Sequence, residues 1–196
     1  GDKLDEAPHM AMICEQLDHN IDGGGLRFDY FPNHFHRASV YASAQGINRS
    51  SYFGTDMNPN AYGTTSDLTF VGGAQYTLNY IMVIPSELTV GAEYNFNHLN
   101  DIYHATERVL NQETTTYGIF AQNEWKSEKL NFLIGFRLDK HNMNEKPIFA
   151  PRANIRYSPI ENLGLRLSYS SGYRAPQAYN EDLHIDALNH SVSIIE

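Results

Sequence analysis

Nine histidines are the side chains in this 196-residue chain best able to hold a metal or a haem. His34 and His36 sit two apart, so on an extended chain they share a face and could act as a ligand pair. They directly follow Pro32–Asn33, a turn dipeptide, and solvated turn histidines are the plainer reading. His98 and His104 enclose Asp101 and Tyr103, and a His/Tyr set of this kind could ligate haem or coordinate an iron chelate if another segment supplied a partner. His184 and His190 lie near the end of the chain in polar surroundings. A second group of candidates is charged: Glu93, Glu124, Arg137, Asp139, Arg152, Arg156 and Arg166 fall on the polar parity of alternating segments. Such residues pair across neighbouring strands, because an unpaired buried charge is costly; the alternative is direct contact with an anionic substrate. No nucleophile–base pair, Gly-rich phosphate loop or Cys-x-x-Cys spacing is present, so neither an enzyme, a resident cofactor nor a metal centre is expected.

The elements that must position these residues are strands. Leu130, Phe132, Ile134, Phe136 and Leu138 alternate with Asn131, Leu133, Gly135, Arg137 and Asp139; Leu163, Leu165, Leu167 and Tyr169 alternate with Gly164, Arg166, Ser168 and Ser170. Period-two alternation puts one face in an apolar medium and the other in a polar one. In a soluble sandwich the apolar face is the core, whereas in an outer-membrane barrel it meets lipid and the polar face lines the lumen. Mean hydropathy is −0.46, and no apolar run approaches the roughly 20 residues of a spanning helix, which excludes a helical membrane protein and leaves a barrel untouched. The net charge of −9 argues against nucleic acid, which needs clustered Lys and Arg. The lone Cys14 cannot form an internal disulfide.

Eight strands are expected, at about Gly24–Phe31, His34–Gly46, Asp67–Tyr80, Glu87–His98, Thr114–Lys126, Lys129–Lys140, Ala150–Ser158 and Asn162–Ser171. A short helix near Pro8–Leu17 could begin on Pro8. Phe120 and Asn123 fall on the wrong faces of an otherwise alternating strand. The connections alternate in length: Pro32–Asn33, Ile81–Ser86, Ser127–Glu128 and Pro159–Glu161 are short, while Ile47–Ser66, Leu99–Glu113, His141–Phe149 and the chain from Gly172 onward are long and polar. Up-and-down outer-membrane barrels place short turns in the periplasm and long loops outside. Phe31, Tyr80, Trp125 and Tyr157 sit beside the short turns; Phe70, Tyr94, Phe96, Tyr117, Phe136 and Tyr169 lie nearer the long connections, as two interfacial girdles would. The reading is an all-β, antiparallel up-and-down transmembrane segment.

Three stretches resemble one family. Tyr117-Gly-Ile-Phe-Ala-Gln-Asn-Glu-Trp125, then Gly135-Phe-Arg-Leu-Asp139 with Ala150-Pro-Arg-Ala-Asn154, and finally Leu163 to Pro176 followed by Tyr179, Glu181 and Leu183 resemble TonB-dependent outer-membrane receptors, in flavour those of Bacteroides-type bacteria. In the last stretch Gly172, Tyr173, Arg174, Ala175 and Pro176 match the corner by which a strand leaves the membrane. The resemblance implies outer-membrane lipid, a plug domain, the TonB system and a small-molecule or chelate substrate as partners, and active import of an iron–siderophore, haem, cobalamin or glycan. It also implies a barrel of about 22 strands, of which this chain supplies about eight. Residues 1–196 are thus expected to be an internal barrel part lacking the plug and remaining strands; Gly1–Glu6 is polar, with no apolar export signal behind it. Substrate contacts implied by the family would come from the long loops, with Tyr52, Asp56, Tyr62, Tyr103 and His104 as candidates. The alternative is a small self-contained eight-stranded binding or structural barrel.

Overall fold

The fold is taken from a computed structural model that describes residues 7–173. Eight strands form one antiparallel sheet in which every strand pairs with its sequence neighbours: β1 (Ile13–Asn33), β2 (His36–Thr55), β3 (Tyr62–Ile81), β4 (Pro85–Tyr103), β5 (Arg108–Lys126), β6 (Leu130–His141), β7 (Ile148–Ile160) and β8 (Leu163–Ser170). All four short turns lie at one end of the sheet, and the β2–β3, β4–β5 and β6–β7 connections lie at the other, as expected of up-and-down hairpins. Among the described residues no ladder joins β1 to β8, so the sheet is open.

Several boundaries differ from those expected. The helix anticipated near Pro8–Leu17 is only a three-residue 3-10 turn at Pro8–Met10, after which β1 begins at Ile13, well before Gly24. The supposed loop Ile47–Ser66 is mostly strand, because β2 runs to Thr55 and β3 starts at Tyr62; Leu99–Glu113 is likewise consumed by β4 and β5. Strand β2 has 20 residues, about twice the ~9–11 needed to cross a bilayer at a tilt. These added lengths mix polar and apolar residues on each face, Ile21, Ile47 and Leu99 sharing one with His19, Arg49 and Asp101, which blurs the alternation that marks a strand while leaving the backbone free to pair.

The register sorts the side chains into rows, since directly opposed residues share a face. One row reads Phe28–Val40–Ala74–Ala92–Ile119–Leu138–Phe149 across seven strands, wholly apolar. The adjacent row, one residue along each strand, reads Arg27–Tyr41–Gly73–Glu93–Gly118–Asp139 and faces the other way. Burial is inverted relative to a water-soluble sheet. Leu26 is 85% and Leu167 70% exposed, whereas Ser39, Thr77, Thr89 and Asp139 are buried on the polar face. The apolar face packs against nothing within the described residues. Its rings gather near the two margins of the apolar belt: Phe70, Tyr94 and Tyr117 contact one another in turn towards the tall end, and Trp125 stacks on Phe132 with centroids 5.3 Å apart near the short turns. Phe31 departs from the girdle expected of it. It lines a groove with Arg37 and Thr77 on the polar face, and Tyr30 takes the outward position.

The two misfits in β5 have local causes. Phe120 is on the polar face, where it lies over Gly91; a Cβ there would collide with the Phe120 ring. Asn123, on the apolar face, accepts a hydrogen bond from the Tyr80 hydroxyl at 3.0 Å.

Candidate functional site

The polar face carries a chain of charge-assisted bonds whose reach depends on two glycines. Glu93 on β4 is flanked in its row by Gly73 on β3 and Gly118 on β5. With no side chain at 73, Tyr41 of β2 crosses over β3, and its hydroxyl donates to Glu93 Oε2 at 2.6 Å. With none at 118, Arg137 of β6 crosses β5 and donates to Glu93 Oε1 at 2.9 Å while also holding Asp139 at 2.8 Å. Charge-assisted bonds of this kind are the stronger class, and here they tie β2, β4 and β6 together around one carboxylate, over the two strands between them. Lys126 bonds Glu87 at 2.8 Å and lies 3.4 Å from Glu124, and Arg152 donates to Gln122. Cross-strand pairing thus accounts for Glu93 and Arg137, whereas Glu124 and Asp139 pair along their own strands with Lys126 and Arg137. Arg156 and Arg166, by contrast, stand directly opposite each other in the β7–β8 register. Like charges so placed repel and favour an anion between them.

Above the apolar belt the polar face continues into a second network. Asp101 of β4, 4% exposed, accepts from Arg108 at 2.7 Å and from Thr65 at 2.6 Å, and Arg49 donates to the same threonine at 3.0 Å. Arg49 Nη2 is also 3.8 Å from Asp101. The sequence reading missed this cluster apart from Asp101, because its members are far apart in the chain and meet only through register.

The five loop candidates divide by what they touch. Tyr52 is 1% exposed; its ring packs 4.8 Å from that of Tyr62, and its hydroxyl donates to the Asn58 carbonyl at 3.0 Å. Tyr103, 8% exposed, donates to the Phe53 carbonyl at 2.8 Å. With Ala61 these are the buried apolar residues among those described, and they clamp the β2–β3 turn to the end of β4. Burial pushes both phenols above the ordinary tyrosine value, so they stay neutral donors rather than phenolate ligands. Tyr62 is half-buried, and its hydroxyl meets His9 Nδ1 at 2.8 Å, which fastens the 3-10 turn to the same cluster. Asp56 and His104 are exposed at the tips of the two hairpins. Asp56 has φ 56°, a left-handed conformation that aspartate tolerates better than most residues. The structure therefore pairs Tyr52 with Tyr62 on one face of the β2–β3 hairpin, sets Tyr103 on the other face where it holds the Phe53 carbonyl, and leaves Asp56 and His104 on separate turns.

The histidine pairs find other places. His36 Nδ1 meets the Tyr76 hydroxyl, and His34 is in the β1–β2 turn. His98 sits opposite Leu68 and Glu113 on the outward face, away from the tip that holds His104. Of the corner motif, Gly172 and Tyr173 follow β8, and burial raises the Tyr173 pKa, with Asp139 and Arg137 within electrostatic reach. Arg174, Ala175 and Pro176 lie outside the described residues.

A family model described as TonB dependent receptor-like, beta-barrel matches residues 15–183. No curated protein sequence matches the chain. Among solved structures, the siderophore receptor PirA from Pseudomonas aeruginosa superposes with TM-score 0.70 at 16% identity over 84% of this chain and 28% of that one. The siderophore receptor PirA from Acinetobacter baumannii gives 0.71 at 14% identity over 82% and 26%, and the ferric enterobactin receptor PfeA from Pseudomonas aeruginosa gives 0.68 at 16% over 83% and 26%. The chain therefore spans about a quarter of the length of the solved receptors it matches.

Proposed function

The chain belongs to the TonB dependent receptor-like β-barrel family, and from that premise we propose that it forms part of the wall of a larger outer-membrane barrel that binds and imports a large, scarce nutrient with TonB-coupled energy. The observation that carries this reading is the inverted burial: large apolar side chains cover the face with no protein partner, and hydroxyls and ion pairs fill the other. In this reading the apolar belt meets outer-membrane lipid, the short turns are periplasmic and the tall hairpins are extracellular. The polar face lines a lumen occupied, in the whole receptor, by a plug domain that the TonB system acts on. Residues 1–196 are then a barrel part whose edge strands β1 and β8 pair with further strands. The solved receptors of similar fold take siderophores, which places an iron chelate first among substrates, ahead of haem, cobalamin or a glycan.

Within that function the loop candidates take two roles. Tyr52, Tyr62 and Tyr103 brace the extracellular hairpins, and Asp56 and His104 present polar tips to the arriving substrate. Gly172 and Tyr173, which follow β8, begin the turn of the chain out of the membrane.

Spin labels placed singly at positions 165 and 166 of a receptor carrying this segment test the membrane reading. Quenching at 165 by a lipid-soluble agent and at 166 by a water-soluble one supports it. Protection of 165 from both agents indicates a dry protein core and sinks it. For transport, uptake of a ferric siderophore by cells expressing the receptor should fall in Asp56→Ala/His104→Ala, while surface expression is kept. Unchanged uptake removes those two residues from the substrate path.

A further inference from the structure

The turn between β3 and β4 is built against the usual rule for a turn in water. Ile81, at the end of β3, and Met82 and Val83 beyond it are 74%, 82% and 88% exposed, and half-buried Ile84 follows them. Water penalises such a run of open apolar side chains unless something covers it. The β5–β6 and β7–β8 turns at the same end obey the rule, with Ser127, Glu128 and Lys129 in one and Glu161 and Asn162 in the other. The apolar patch also extends sideways. Phe35 in the β1–β2 turn is 55% exposed, and its carbonyl accepts the Asn79 amide of β3 at 2.7 Å.

We propose that the β3–β4 turn is an interfacial anchor, seated among the phospholipid headgroups and upper acyl chains of the periplasmic leaflet. The inference rests on the outer-membrane reading of the belt. Continuity is the first argument for lipid as the occupant. Met82 keeps the outward parity of Leu78 and Tyr80, so the apolar column of β3 runs from the belt into the turn. On the other arm only Ser86 stands between Leu88 and Ile84 on that parity, and it is buried with its hydroxyl donating to the Ile84 carbonyl at 2.9 Å. Depth is the second argument. The belt ends at the row Tyr80–Ser86–Trp125, whose two rings mark the headgroup boundary. Met82, Val83 and Ile84 stand two or three residues past that row. At a rise of ~3.3 Å per residue and a tilt of ~35–45°, this is about 5–8 Å along the membrane normal. The interfacial layer is itself ~5–8 Å deep on each side, so the turn ends inside it. The third argument is charge. None falls between Ile81 and Ser86, and Glu87, the next in the chain, faces the lumen and is held by Lys126 at 2.8 Å. An apolar, uncharged edge beside aromatic rings suits the headgroup–acyl boundary. The anchor holds the β3–β4 hairpin in the leaflet, while the charged turns of β5–β8 stay open to the periplasm.

The test uses the intact receptor that carries this segment, reconstituted in phospholipid vesicles, with spin labels placed singly through Val83→Cys, Glu128→Cys and Leu165→Cys. The ratio of quenching by oxygen to quenching by a water-soluble nickel complex is expected to be several-fold higher at 83 than at 128, and lower at 83 than at 165. Adding Met82→Asp should bring the ratio at 83 down to that at 128 and leave 165 unchanged. Heat-modifiable migration on gels confirms that each protein is folded, and if Met82→Asp fails that check the three labels decide. A ratio at 83 equal to that at 128 puts the turn in water and overturns the anchor. Protection of 83 from both agents means that protein covers the turn, which overturns lipid as its occupant. An unchanged ratio at 83 in folded Met82→Asp overturns the apolar apex as what holds the turn in the leaflet. Loss of the lipid signature at 165 would defeat the membrane reading instead, so the two failures are distinguishable.

Discussion

The same strands pass through two regions built on opposite plans. In the belt, around the Phe28–Val40–Ala74–Ala92 row, the outward face is apolar and unpartnered, and the inward face holds the Glu93 network. In the tall extension of β1–β5, the outward face carries the Asn20–Asn48–Ser66–Asn100–Asn111 row and the Tyr52–Tyr62 pair, and the inward face holds the Asp101 network with Tyr103 beyond it. The pleat and the ladder do not change between them; the surrounding medium does. A strand needs asymmetry of medium to show period two, but it needs only backbone pairing to persist. The belt is stabilised by what lies outside the protein, and the extension by what the protein itself buries.

Substitutions can break this contrast, and the largest effect belongs to the extension. Tyr52→Ala removes its main buried ring and should cost about 3–5 kcal/mol locally. Hydrogen exchange should quicken in residues 47–66 while the belt amides stay protected; if the belt loosened equally, the two regions would be one cooperative unit. Next comes Leu165→Arg, expected to destabilise barrel folding by roughly 2–4 kcal/mol at the membrane midplane, measured by denaturant titration in vesicles.

Gly118→Val sharpens the account of the inward face. A Cβ there meets Asp139 and Arg137 at contact too close to hold, so Arg137 should lose Glu93 at a cost of about 1–3 kcal/mol for the overpacking. A double mutant with Glu93→Gln should show strong non-additivity, and simple additivity would mean that the glycine is not what lets Arg137 reach across.

Smaller still is Tyr103→Phe, worth about 1 kcal/mol for the bond to the Phe53 carbonyl. It also carries a pH signature. Burial raises the folded pKa values of Tyr52 and Tyr103 above the ordinary phenol value of 10.0. The stability they contribute is therefore complete below about pH 10 and is lost as pH climbs through the higher folded values. Near-ultraviolet circular dichroism should report the alkaline loosening of the extension, and Tyr103→Phe should lessen its steepness. Last, Asn111→Arg, on the outward face of the extension, should change stability by no more than about 0.5 kcal/mol. A penalty like that of Leu165→Arg would put lipid where water is expected.

The belt was legible because each of its strands separates two media. Lys129–Lys140, Ala150–Ser158 and Asn162–Ser171 come within two residues of β6, β7 and β8. The extension was not legible, since each of its faces mixes polar and apolar residues: Ile47–Ser66 and Leu99–Glu113 read as loops, and the first half of β1 passed as chain before a strand. Among site residues, Tyr52, Tyr62 and Tyr103 stood out by type, but nothing local distinguished a substrate contact from a brace. Gly73 and Gly118 gave no signal at all, because a glycine's value here lies in which residues cross over it.

The sequence alone determined the parity of the belt, the eight-strand hairpin order and the family motifs, since these are written in neighbours two residues apart or in contiguous stretches. Only the tertiary structure decided how far the strands continue, which residues share a row, and that a carboxylate on β4 is reached from β2 and β6. Those facts depend on register between strands, which turn length and backbone pairing set across distances that periodicity along one segment does not reach.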